Sequence, residues 1–212
     1  MKPILFNTTM VQAILEGRKT TTRRIAKGLK DATKVTHGEF KWDYKHSWMN
    51  DLGLEIEAPF HIGEILYVRE TWQISNPMGD FARNNMTAEY VYKAGYAKGE
   101  RIPITREQEK NLGVWKPSIH MPKDAARIFL KVTDVRVERL QDIDDEGAKT
   151  EGINVGIGIA EKMREGAIDR FKKIWDSTVN KKDIDKYGFN ANPWVWVIEF
   201  ERIDKSEVEY GI

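Results

Sequence analysis

Apolar positions along this chain recur with two different periods, and the switches between them lay out the elements. Ile4-Leu5-Phe6 predicts a short strand. Met10, Val11, Ile14 and Leu15 then share one face at helical spacing, Thr9 and Gln12 have the spacing of a capping box, and Gly17 supplies a stop, so a helix is predicted there. The segment Lys19-Thr20-Thr21-Thr22-Arg23-Arg24 is rich in β-branched threonine and continues a helix poorly, which predicts a loop or extended strand. A turn and buried strand follow at Gly63 to Glu70, and Ala88 to Tyr92 alternates like another strand. The clearest strand runs from Ala126 to Val137, with Ala126, Ile128, Leu130 and Val132 in one phase and Val135 and Val137 in the other. That switch near Thr133-Asp134 predicts a bulge or bend. Asp142 to Glu151 reads as a helix, with Asp144, Asp145 and Glu146 in its first turn and Gly152 at its end. Met163, Ala167, Phe171, Ile174 and Trp175 mark a further amphipathic helix. Trp194 to Phe200 is apolar on most positions of both faces, the pattern of a central strand.

Two stretches lack a clean period. Residues of about 30–60 carry Trp42, Tyr44, His46 and Trp48 among charges and predict a surface insertion. Residues of about 73–115 predict a second insertion, polar and irregular between Gly95 and Lys116. No repeat or flexible linker divides the chain, so residues 1–212 are read as a single domain. Strands scattered among about three helices, without regular βαβ alternation, predict an α+β fold with a largely antiparallel sheet.

Composition narrows the class. Hydrophobic residues make up 41% and aromatics 10%, enough to build a core and against global disorder. Cysteine is absent, which excludes disulfides and thiolate metal sites and suits a reducing compartment. The opening apolar run is too short for a signal segment, and no stretch approaches the ~20 apolar residues of a membrane span. A cytoplasmic protein without a membrane partner is expected. His37, His46, His61 and His120 show no ligand spacing, so no metal is expected. No phosphate-cradling loop or nucleophile elbow is present either, and no cofactor is implied. The net charge of +1 does not announce a nucleic-acid binder. Its distribution is more telling: Arg18, Lys19, Arg23, Arg24, Lys27 and Lys30 follow one another with no acid between them. Such a run is usually a solvated face, but this one begins where a helix stops.

Several motifs together resemble one family. Gly17-Arg18-Lys19-Thr20-Thr21-Thr22-Arg23-Arg24 resembles the ASCH signature of Gly-x-Lys, a hydroxyl or acidic residue three after the lysine, and then arginine. Gly63-Glu64-Ile65-Leu66-Tyr67-Val68-Arg69-Glu70 is similar to the family's Gly-Asp-x-Leu-x-Val strand, and Leu140-Gln141-Asp142-Ile143 with Ala148 to Gly152 to its later helix. Val68 to Trp72, Lys116 to Pro122 and Asn192 to Trp196 resemble larger phage and prophage members. The resemblance implies a PUA-like, mostly antiparallel β-barrel with about three flanking helices and two insertions, and a partner that is RNA or a modified nucleoside. A small bacterial member of the family removes the acetyl group from N4-acetylcytidine. Its lysine, threonine and glutamate fall by matching position on Lys19, Thr22 and Glu151.

Those residue types make chemical sense in such a role. Amide hydrolysis needs an activated nucleophile and a donor for the developing oxyanion. Threonine needs a base, and lysine serves as one only when its pKa falls well below ~10.4. Arg23 and Arg24 push it down, whereas Glu151 opposes that. Three readings therefore stand. In the first, the chain binds RNA or a nucleoside without chemistry, with Arg18, Lys19, Arg23 and Arg24 holding phosphate and aromatic residues stacking bases. In the second, Lys19, Thr22 and Glu151 hydrolyse an acylated nucleobase. In the third, the chain is a phage-type accessory protein that binds a protein partner through its insertions, with Trp42, Tyr44 and Trp48 as anchors. Arg69 and Glu70, directly after an apolar strand, and Trp72, which could stack a base, are further candidates to line the pocket.

Overall fold

The computed structural model describes residues 1–29, 35–39, 46–50, 55–75, 85–95, 97–154 and 166–210. Among them the strands are β1 (Lys2–Leu5), β2 (Thr21–Ile25), β3 (Val35–Glu39), β4 (His46–Asn50), β5 (Glu55–Ile56), β6 (Ile65–Arg69), β7 (Trp72–Ser75), β8 (Thr87–Tyr92), β9 (Ala97–Pro103), β10 (Phe129–Arg139) and β11 (Trp194–Ile203). The helices are α1 (Thr8–Leu15), α2 (Arg106–Glu109), α3 (Asp145–Thr150), α4 (Ala167–Thr178), α5 (Ile184–Tyr187) and α6 (Lys205–Tyr210). The class is mixed α+β. The three short helices α2, α5 and α6 go beyond the sequence reading, because four to six residues carry too little periodicity to register. No helix among the described residues is long and apolar enough to cross a membrane.

Contacts group the chain into two compact units. The first comprises Met1–Glu16, Ile65–Lys131 and Arg202–Ile212. In it β1 runs parallel to β6, with Ile4 opposite Val68, and the first residues of β10 pair antiparallel with β6, with Leu130 opposite Leu66. Helix α1 begins earlier than the Thr9 capping box predicts. Asn7 is its cap, and its side chain accepts the Met10 amide at 2.9 Å, while Val11 and Ile14 face inward. A second, antiparallel sheet β7–β8–β9 pairs Trp72 with Tyr92 and Ala88 with Ile102. Its alternation is that of a half-buried surface: Ala88, Tyr90 and Tyr92 point into a core shared with Trp72, Ile74 and Met121.

Within the polar stretch after Gly95, Ala97–Pro103 form a strand. Strand β9 is held by backbone pairing rather than by apolar content, which is why its sequence reads as irregular. Helix α2 follows with reciprocal capping, the Gln108 amide donating to Thr105 Oγ1 and the Thr105 amide to Gln108 Oε1.

The second unit comprises Gly17–Glu64 and Val132–Glu201. Its larger sheet has the order β10–β11–β2, and β11 is antiparallel to β2 with Trp196 opposite Arg24 and Ile198 opposite Thr22. Val195 to Ile198 are all buried, so β11 is the central strand its sequence predicts. The alternating burial of β10 ends at Thr133, where the sequence phase changes. Leu140, Ile143, Ala148, Phe171, Trp175 and Val197 pack into one core. Ile174 is 37% exposed and does not join the apolar face assigned to it, since a stripe centred on Phe171 and Trp175 leaves it on the shoulder. The first insertion contains an antiparallel sheet β3–β4–β5, in which Trp48 stands opposite His37 and Ile56. Trp42, Tyr44 and Met163 lie outside the described residues. In neither unit do the described strands close on themselves.

Phe171→Ala should therefore cost about 3–4 kcal/mol, through lost burial plus the cavity left behind. Ile174→Ala should cost under about 1 kcal/mol. Urea denaturation of the two variants measures both; equal costs would contradict the packing of α4.

Candidate functional site

The second unit gathers several of the residues singled out from sequence. Two glycines with positive φ make this possible. Gly17 (φ 73°) and Gly152 (φ 90°) each end a helix in the left-handed region that side chains disfavour, and each turns the chain sharply. Lys19 and Glu151 lie next to these two stops and form an antiparallel bridge, reinforced by the Thr20 amide donating to Thr150 O at 2.9 Å.

The Lys19 side chain is fully buried, and its ammonium donates to three acceptors: Thr21 O at 2.7 Å, Glu151 O at 3.0 Å and Glu151 Oε2 at 2.6 Å. An ammonium has three protons, so each meets an acceptor. One of those acceptors is a carbonyl at the C-terminal end of α3, where helices leave such groups unsatisfied. Burial pulls the Lys19 amine below its ordinary pKa, and Glu151, by charge and hydrogen bond, opposes that shift. Glu151 itself sits where a carboxylate meets the negative end of the helix dipole, and the lysine compensates for that.

Arg23 extends the pair. Its side chain is 3% exposed, and it reaches Glu151 Oε1 through Nη1 at 3.3 Å and Glu138 Oε2 through Nη2 at 3.4 Å. The guanidinium lies so close to Gly147 that a Cβ there would stand 3.2 Å from Nη2. Glu138 in turn meets Arg136 at 2.5 Å, and Arg136 also holds Asp134 at 2.8 Å and Glu199 at 2.5 Å. Burial acts to lower the Arg136 pKa, but its three carboxylates outweigh it and raise the pKa above the ordinary value. A chain of alternating charge thus runs from Lys19 to Glu199. Its outer part borders a polar cleft of about 360 Å³, lined by Thr20, Thr21, Arg23, Arg136, Glu138 and Glu199 among others.

The other candidates take different places. Thr22 is buried in β2. Successive strand side chains point to opposite faces, so it faces away from Arg23, and it is not among the acceptors of Lys19 named above. Arg24 is half-buried on the Thr22 face; burial lowers its pKa, and Glu151 opposes that. Arg18 donates to Gly152 O at 2.6 Å. The basic run is therefore not simply a solvated face, because Lys19 and Arg23 are interior.

Arg69, Glu70 and Trp72 belong to the first unit and have partners of their own there. Arg69 donates to Met121 O at 2.8 Å and Ile119 O at 2.5 Å. Glu70 is 1% exposed, held by Arg127 through two hydrogen bonds of 2.9 and 3.0 Å. Burial raises its pKa, and Arg127 draws it back. Trp72 is core, edge-on to Tyr90 at 5.7 Å.

Sequence reasoning passed over Arg136, Glu138 and Glu199. The signal was there in Asp134, Arg136 and Glu138, which share one phase of a strand whose other phase is Val135 and Val137. Charges in strict alternation mark a face that is neither core nor plain surface. Among the described residues no cluster of side chains has the makings of a metal site.

No family model and no curated protein matches the chain. Among solved structures it is similar to the protein EF3133 from Enterococcus faecalis V583, of the family DUF984. Identity is 11%, the TM-score is 0.38, and the match covers 94% of this chain and 71% of that one. A likeness at that level fixes neither fold nor function.

Removing Glu151 strands a buried ammonium, so Glu151→Ala should cost about 3–5 kcal/mol. Replacing both members as Lys19→Met with Glu151→Leu should recover most of that. Denaturant titration of the three proteins decides it; a single-variant cost below about 1 kcal/mol would contradict the pair's burial. The pH dependence has a definite sign. With its folded pKa lowered, Lys19 binds fewer protons in the folded than in the unfolded state just below the ordinary value of 10.5. Wild-type stability relative to Lys19→Met should rise with pH across that alkaline window and fall again as pH drops through the folded pKa.

Proposed function

We propose that this chain is an ASCH-type, PUA-like protein of the cytoplasm that binds a nucleobase, free or within RNA, in the polar cleft walled by Arg23. One observation carries this reading: a fully buried Lys19–Glu151 pair is linked through Arg23 to an open cleft of about 360 Å³. That volume lies at the small end of the range for small-molecule pockets and suits a single nucleoside. Burying three charged groups gains little stability over apolar packing, so their value lies in fixing Arg23 and the threonines beside it. The motif resemblance supplies the ligand class, with Lys19, Thr22 and Glu151 at the matching positions.

A second reading, hydrolysis of an acylated nucleobase, has its own support. Burial pulls down the pKa of the Lys19 amine, as a catalytic base requires. Against it, all three ammonium protons are engaged and Lys19 is not among the cleft's lining residues. Binding is accordingly the stronger reading.

Calorimetric titration of wild type and Lys19→Ala with N4-acetylcytidine and related acylated nucleosides, with product analysis of the same mixtures, separates the two. Wild type should bind at least one nucleoside of the panel, and Lys19→Ala should weaken that about tenfold or more by freeing Glu151 and Arg23. Release of acetate and the deacylated nucleoside by wild type alone would establish the hydrolase reading. Absence of binding across the panel and to RNA would sink both.

A further inference from the structure

The charge of the cleft bears on which form of the ligand enters it. Its lining cations are Arg23 and Arg136, and its lining anions are Glu138, Asp142, Asp144, Glu146 and Glu199. The cations are already committed: Arg23 to Glu151 and Glu138, and Arg136 to Asp134, Glu138 and Glu199. Proteins that hold nucleic acid do so by offering lysine and arginine to phosphate. Here the carboxylates outnumber the guanidiniums, and such a field repels a dianion.

The same carboxylates point to what the cleft does accept. They are hydrogen-bond acceptors, and they suit the hydroxyl and N–H donors of a ribose and an exocyclic nitrogen.

We infer that the cleft selects an unphosphorylated nucleoside and discriminates by charge against nucleotides and against an RNA strand. The inference rests on the nucleobase reading above and narrows its ligand.

The test is calorimetry at low ionic strength with three probes: N4-acetylcytidine, its 5′-monophosphate, and a short single-stranded RNA containing the same base. The proteins are wild type and Glu146→Gln/Glu199→Gln, two substitutions at exposed carboxylates of the lining that leave Lys19, Arg23 and Glu151 untouched. Wild type should bind the nucleoside about tenfold tighter than the monophosphate. The gap should shrink in the double variant, and in wild type when salt is raised to about 0.5 M. Equal or tighter binding of the monophosphate or the RNA would overturn the charge selection while leaving the nucleobase reading intact. Failure of all three probes to bind would take down both. A gap that ignores both salt and the double substitution would show discrimination by shape and overturn the electrostatic account.

Discussion

An ammonium without solvent must have an acceptor for every proton and a counter-charge in contact, and the second unit is arranged to give both to Lys19. The cost of dehydrating a lysine runs to several kcal/mol. Two backbone carbonyls and one carboxylate offset it, and they come from two segments more than a hundred residues apart in sequence. Once Glu151 is fixed by that contact, Arg23 is fixed by Glu151, Glu138 by Arg23 and Arg136 by Glu138. Each link constrains the next, so the outer wall of the cleft inherits its geometry from a residue that never touches solvent.

The backbone around this pair serves the same end. Gly17 and Gly152 stop their helices where the chain must turn toward the bridge, and the short helix α3 delivers Glu151 at its C-terminal cap. Strand β2 carries Thr21 and Arg23 on one face and Thr22 and Arg24 on the other, against a central strand buried on both sides. The first unit holds a buried pair of its own, Glu70 with Arg127, with the guanidinium 4.1 Å from the Tyr92 ring centre. A buried ion pair becomes a candidate site when its partners reach an open surface, as the Lys19 pair does through Arg23.

Much of this was legible in the sequence, and what was not has physical causes. Strand β11 announced itself because burial on both faces demands apolar residues in both phases. Helix α3 and its stop at Gly152 were visible through acids in the first turn and glycine at the end. The strands of residues 35–56 and β9 were not, because their ladders rest on backbone hydrogen bonds that place little demand on side-chain polarity. The burial of Glu70 was not legible either, because its partner Arg127 lies 57 residues away. Lys19 and Glu151 were found as a pair through their resemblance to a motif. Their engagement with each other, and their link through Arg23 to an acidic cleft, required coordinates.

Chemical-shift mapping follows the backbone amides as N4-acetylcytidine is added to the wild-type protein. Binding in the cleft should confine perturbations to Lys19–Arg23, to residues Gly147–Gly152, and to the strand around Arg136 and Glu138. Shifts centred instead on Arg127 and Tyr92, or an unchanged spectrum at saturating nucleoside, would contradict it.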